Sequence, residues 1–181
     1  MVSTDLAQLE RRARMAYELH RVRLAVLGVL PLALIVGVAA ALTHRPASAL
    51  GFGLASMGIG AAMLWYGRDP QKAVLPGVAA GLVPLVLSLC ASQVHACGPN
   101  GCVSLCVPAC TLGGAVAGLA VARVGNQRKA GPRFWLSAAA LALVTGAMGC
   151  SCIGYGGVLG LGAGLVAGMV PGLVRRMHAE R

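Results

Sequence analysis

The sequence predicts an all-α, polytopic integral membrane protein, a six-helix bundle with its N- and C-termini cytoplasmic. Hydrophobic residues make up 57% of the 181 positions, charged residues only 11%, and the mean hydropathy is +0.78. That composition lies outside the range of soluble globular domains. A span needs about 20 apolar residues, and six such stretches stand at 24–42, 47–66, 73–94, 102–122, 134–150 and 155–174. Threaded alternately from an inside N-terminus, they leave all but Arg45 of the 15 Lys and Arg on the cytoplasmic side. Short loops rich in Lys and Arg resist transfer across a membrane, so this bias sets the orientation.

Residues 1–23 read as a cytoplasmic amphipathic helix that runs into the first span. Ser3, Thr4 and Asp5 offer N-caps, and Asp5 with Gln8 has the spacing of a capping box. Leu6, Leu9, Ala13, Ala16 or Tyr17, and Leu24 recur every three or four residues and form one apolar stripe. Glu10 and Arg14 make a favourable i,i+4 pair. Such a helix either lies on the headgroups, held by its arginines, or docks a cytoplasmic partner through Asp5, Leu6, Leu9, Ala13 and Tyr17. The length of this polar segment and of the apolar run after it speaks for a retained span, not a cleaved leader.

The spans at 24–174 form the bundle, and 175–181 form a basic cytoplasmic tail. Positions 134 to 174 carry no charge over 41 residues, about twice one span, so the chain turns once, at Gly149–Gly154. Gly156, Gly160, Gly164, Gly168 and Gly172 recur every four residues, as do Gly114 with Gly118 and Gly77 with Gly81. Rows of this kind let helices approach closely in lipid, and a homodimer through such a row is compatible with them. Pro31, Pro84, Pro108 and Pro171 kink or soften their helices. No Asp, Glu, Lys or Arg lies inside any span. Proton-coupled carriers and ion pumps generally need one there. The net charge of +10 follows from topology, and no folded basic domain or interleaved aromatics point to nucleic acid. Nor is there an acidic residue on the outer face or in the membrane for hydrolytic chemistry, so no enzyme is expected.

The same threading gathers all 7 cysteines at or below the outer face. Cys102, Cys106 and Cys110 recur at i, i+4 and i+8, predicting a row on one face of the fourth span. His95, Cys97 and Cys102 frame a short loop containing Pro99, Asn100 and Gly101, and Cys150 and Cys152 occupy another outer turn. In an oxidising compartment, Cys97 and Cys102 could close that loop, or either could pair with Cys150 or Cys152. Seven is odd, so one thiol stays unpaired within the monomer. Thiolates of Cys97, Cys102, Cys106 and Cys110 with His95 also suit a soft or borderline ion such as Zn²⁺, Cu⁺ or Hg²⁺. Cys90, Cys106 and Cys110 read more simply as small residues packed among helices.

The layout resembles the membrane-bound anti-sigma factors of the NrsF type, found in the bacterial inner membrane. The likeness rests on Thr4-Asp5-Leu6 opening the cytoplasmic helix, on Cys102 at the outer start of span four and on Cys152 before span six. It also rests on the ending from Gly168 to Arg176. The family implies a stress-response switch in transcription regulation. The cytoplasmic face would sequester an extracytoplasmic-function sigma factor and release it when outer cysteines are oxidised or bind metal. Cys102 and Cys152 are the sensor thiols carried over from it, with Cys97 and Cys150 as near substitutes. The other five cysteines and His95 depart from the family's two-thiol pattern. The alternative, similar in outline to the mercury uptake proteins, is a soft-metal transporter that passes the ion along Cys102, Cys106 and Cys110.

Overall fold

The computed structural model describes residues 2–42, 46–66, 69–93, 96–98, 101–103, 106–150 and 155–179. Its helices are α1 (Val2–Leu42), α2 (Pro46–Tyr66), α3 (Asp69–Gln93), α4 (Cys106–Gln127), α5 (Pro132–Cys150) and α6 (Tyr155–Ala179). Between α3 and α4 lies a small antiparallel hairpin of β1 (Ala96–Gly98) and β2 (Gly101–Val103). Five helices, α2 to α6, contain stretches long and apolar enough to cross a membrane. The apolar part of α1, Val26–Leu42, is shorter.

Helix α1 is continuous for 41 residues, so the amphipathic segment and the first apolar stretch form one rod. At 1.5 Å per residue it is roughly 60 Å long, about twice the hydrocarbon thickness of a bilayer. From Glu10 to Leu19 every residue is exposed, the large apolar side chains of Met15, Tyr17 and Leu19 among them. Its apolar half packs antiparallel on α2: Gly28 leaves room for Leu64, and Gly53 of α2 leaves room for Val36.

Glycine determines how the other helices meet. Gly164 of α6 lies on the backbone of Thr111, Gly168 on that of Ala115, and Gly172 on Ala122. From the other side, Gly114 of α4 lies on Leu161 and Gly118 on Leu165. A side chain at any of these positions would push the helices apart, as expected where packing alone holds helices together. The four-residue row is used from Gly160 onward, since Gly156 faces open space. Helices α3 and α5 run parallel in the same way, Gly77 against Ala138 and Gly81 against Ala142 and Thr145. Gly113 sits on Pro84, joining α4 to α3. Gly125 makes room for the Trp135 ring across the α4–α5 turn.

These contacts make α5 the central helix. Of its apolar window 61% is buried, against 22% for that of α2. Phe134, Trp135, Ala138 and Ala142 of α5 form the core with Ala73 and Ala80, Ala117, Val121 and Ala122, and Leu165. The alternation of directions puts the C-terminal ends of α1, α3 and α5 together with the N-terminal ends of α2, α4 and α6. One end of the bundle therefore carries the hairpin, and the other carries the α4–α5 turn.

Two boundaries differ from the sequence expectation. The fourth span begins at Cys106, not at 102, and its helix runs on to Gln127. Cys102 belongs to β2, where Gly98 pairs with Gly101 and the flanking residues continue the ladder. At the C-terminus, residues 175–179 of the expected tail continue α6 as helix.

Candidate functional site

At the hairpin end the register sets Ala96 opposite Val103, Cys97 opposite Cys102 and Gly98 opposite Gly101. Directly opposed residues in an antiparallel ladder have Cα atoms about 4.5–5.5 Å apart. That falls within the roughly 4.4–6.8 Å separation that a disulfide spans. One residue of slip would remove this opposition, so the register is what brings the two cysteines face to face.

Directly below, Cys110 of α4 is joined to Cys150 at the end of α5 by a disulfide, with Cα atoms 6.2 Å apart. Both residues are fully buried, in a cluster with Ala147 and Leu161 against which Phe52, Leu143 and Val158 pack. Cys110 is thus a bonded partner and not merely a small packing residue. Its pairing with a cysteine 40 positions away leaves no local spacing to read. Cys90 departs from its expectation too: it is free and exposed on α3, not packed between helices.

The expected row of three cysteines on one helix is not present. Cys106 opens α4 and Cys110 follows one turn later, whereas Cys102 lies on a strand. Among the described residues no group of three or more His, Cys, Asp and Glu is placed to hold a metal ion. His95 and Cys152 lie outside the described residues, as do the side chains of Cys97, Cys102 and Cys106. Of the expected partner-binding stripe, Ala13 and Tyr17 are exposed on α1, while the side chains of Asp5, Leu6 and Leu9 lie outside the described residues.

The opposite end is basic, where the sequence alone gives a topology signal. Lys72 opens α3, Arg123 and Arg128 end α4, Lys129 and Arg133 flank the α4–α5 turn, and Arg175 and Arg176 close α6. Between residues 70 and 179 the sequence contains no Asp or Glu. Helix α4 ends in a Schellman motif: Ala130 N–H donates to Gly125 O and Lys129 N–H to Asn126 O, at 3.0 and 3.2 Å. The left-handed residue of that motif is ordinarily glycine, but here it is Lys129, with φ of 47°. A side chain in that conformation costs roughly 1–2 kcal/mol.

Guanidinium groups fasten this turn to its neighbours. Arg128 Nη1 donates to the Lys72 carbonyl at 3.1 Å. That carbonyl would normally accept from residue 76 of the same helix, and Pro76 has no N–H to give. Arg176 Nη1 donates to the Ala130 carbonyl, and Asn126 Nδ2 donates to the Gly172 carbonyl at 3.3 Å. Sequence spacing alone would not have found these contacts. The signal that could have been followed is Pro76, which leaves a carbonyl in need of a donor.

Compared with family models, curated proteins and solved structures, the chain matches none. The functional reading rests on these two ends alone.

Proposed function

We propose that this chain is a thiol-based membrane sensor of the anti-sigma class. Its outer cysteines respond to oxidation or a soft metal, and its cytoplasmic face holds a sigma factor. The observation that carries the reading is the register of the hairpin, which sets Cys97 opposite Cys102 at the end away from the basic turn. Oxidation of this pair would form one S–S bond and pass two electrons and two protons to an oxidant at that face. The buried Cys110–Cys150 bond would keep α4 fixed to α5, so a change in the hairpin is delivered to a rigid pair of helices. A few kcal/mol of preference between two packings suffices to shift a two-state bundle. Partner binding is assigned to the exposed arm of α1, through Asp5, Leu6, Leu9, Ala13 and Tyr17, with the bilayer as the second partner. In this reading all six apolar stretches cross the inner membrane and both termini are cytoplasmic.

The test is to extract the full chain from its native membrane in mild detergent, with and without a thiol oxidant, and identify what co-purifies. The expected result is a sigma factor that is bound when the thiols are reduced and lost on oxidation. With Cys97→Ser and Cys102→Ser together, retention should no longer depend on the oxidant. Retention that still responds in that variant would exclude the hairpin pair as the sensor. Soft-metal carriage would instead require Cys110 as a free thiolate, and no observation favours it.

A further inference from the structure

The α4–α5 turn and the first turn of α3 enclose a polar cavity of about 470 Å³, lined by Lys72, Arg128, Lys129, Ala130, Gly131 and Phe134. This is within the roughly 300–1,000 Å³ of small-ligand sites. We propose that it is a binding site for the phosphate headgroup of an anionic phospholipid.

Three features carry the assignment. The first is charge. Three cationic residues from two separate elements, Lys72 of α3 and Arg128 and Lys129 of the turn, line one cavity. The helices around it bring no carboxylate between residues 70 and 179, and Asp69 at the start of α3 is the nearest acidic residue in sequence.

The second is pre-organisation. Arg128 is tied to the Lys72 carbonyl and the turn is anchored by Arg176, so the cavity walls are held before any ligand arrives. Sites built this way lose less ordering entropy on binding.

The third is Lys129. It occupies a left-handed position that glycine would fill without strain. Local strain of this kind tends to be retained where a side chain is used. What the chain gains there is a third cation over the cavity.

The membrane setting distinguishes a lipid from a soluble phosphate. Phe134, 1% exposed, forms the apolar floor. On the outer faces of α3 and α5, Leu75 and Leu136 are 80% and 73% exposed. In a bilayer those side chains meet acyl chains, so the first turns of α3 and α5 stand where headgroups give way to acyl chains. Basic pockets between transmembrane helices are known to take such headgroups.

The experiment uses the full chain in detergent, with lipid binding followed by native mass spectrometry. Phosphatidylglycerol and phosphatidylcholine serve as probes, and inorganic phosphate as competitor. The expected result is that one phosphatidylglycerol is retained in preference to phosphatidylcholine. The double variant Lys72→Gln, Lys129→Gln should weaken that retention about tenfold. Arg11→Gln with Arg12→Gln, which removes the same charge from the α1 arm, should change it less than about twofold. Equal losses in the two variants would overturn the site in favour of general surface attraction. Displacement of the lipid by millimolar inorganic phosphate would overturn the lipid assignment.

Lys129→Gly gives a separate reading that misfolding cannot imitate. It should raise the thermal midpoint by relieving the left-handed strain and at the same time lower lipid retention several-fold. A stabilised variant with unchanged retention would overturn the role of Lys129.

Discussion

At the scale of single residues, this protein is governed by which positions lack a side chain. A Cβ added at Gly164 would collide with the Thr111 carbonyl, a backbone atom that cannot rotate away, whereas a Cβ at Gly156 would meet nothing within 4 Å. The two positions lie eight residues apart on one helix and look identical in the sequence row. Gly164→Ala should therefore destabilise the bundle by about 1–3 kcal/mol, the usual cost of overpacking. Gly156→Ala should be neutral, or stabilising by up to roughly 1 kcal/mol, since alanine favours the helix. Thermal unfolding of both variants in one detergent measures the contrast, and equal losses would mean that α4 and α6 do not meet as described. The same logic explains Lys129, where a residue that needs no side chain for its backbone has one.

At the scale of elements, the spans were legible because a run of apolar residues is a local property. The hairpin and the disulfide were not. Cys102 was read into the fourth span because its spacing to Cys106 and Cys110 fits a helix. What overrides that spacing is the pairing of β1 with β2. Cys110 finds Cys150 only because α4 and α5 run antiparallel and end side by side, and no window of sequence contains both. The outer clustering of thiols was legible, whereas the partner of each thiol depended on how the helices pack. Closing a loop of this length is worth at most about 4 kcal/mol on chain-entropy grounds. It is worth less where helices persist in the unfolded state. Cys110→Ala should lower the thermal midpoint in detergent by several degrees, and a reductant should do the same to the parent chain but not to the variant. If the reductant lowers the variant equally, the stabilising bond lies elsewhere in the cysteine cluster.

At the scale of the whole molecule, the topology turns on a parity. Five helices carry stretches long and apolar enough to cross a membrane, and the sequence stretch 24–42 of α1 matches the 19 residues of Pro132–Cys150. At 1.5 Å per residue that stretch covers roughly 28 Å of a hydrocarbon layer about 30 Å thick. If α1 crosses, the number of spans is even and both termini lie on one side. If it lies in the interface, the number is odd and they lie on opposite sides. The proposed crossing is supported by packing: Gly28 meets Leu64 near one end of α2 and Val36 meets Gly53 toward the other, so α1 lies antiparallel along α2. The small deficit in length can be met by local thinning or by snorkelling of flanking residues. Orientation then follows from the basic end, where Lys72, Arg128, Lys129 and Arg133 stand in short connections, the positions at which Lys and Arg act most strongly. Green fluorescent protein fused after Arg181 should therefore fluoresce, and so should the same protein fused before Met1. Alkaline phosphatase inserted between Pro99 and Asn100 should be active, because the proposed orientation puts the hairpin end on the oxidising side. A fluorescent C-terminus with a silent N-terminus would leave α1 on the surface. It would also put the partner-binding arm on the side away from any sigma factor, removing the proposed function together with the sixth span.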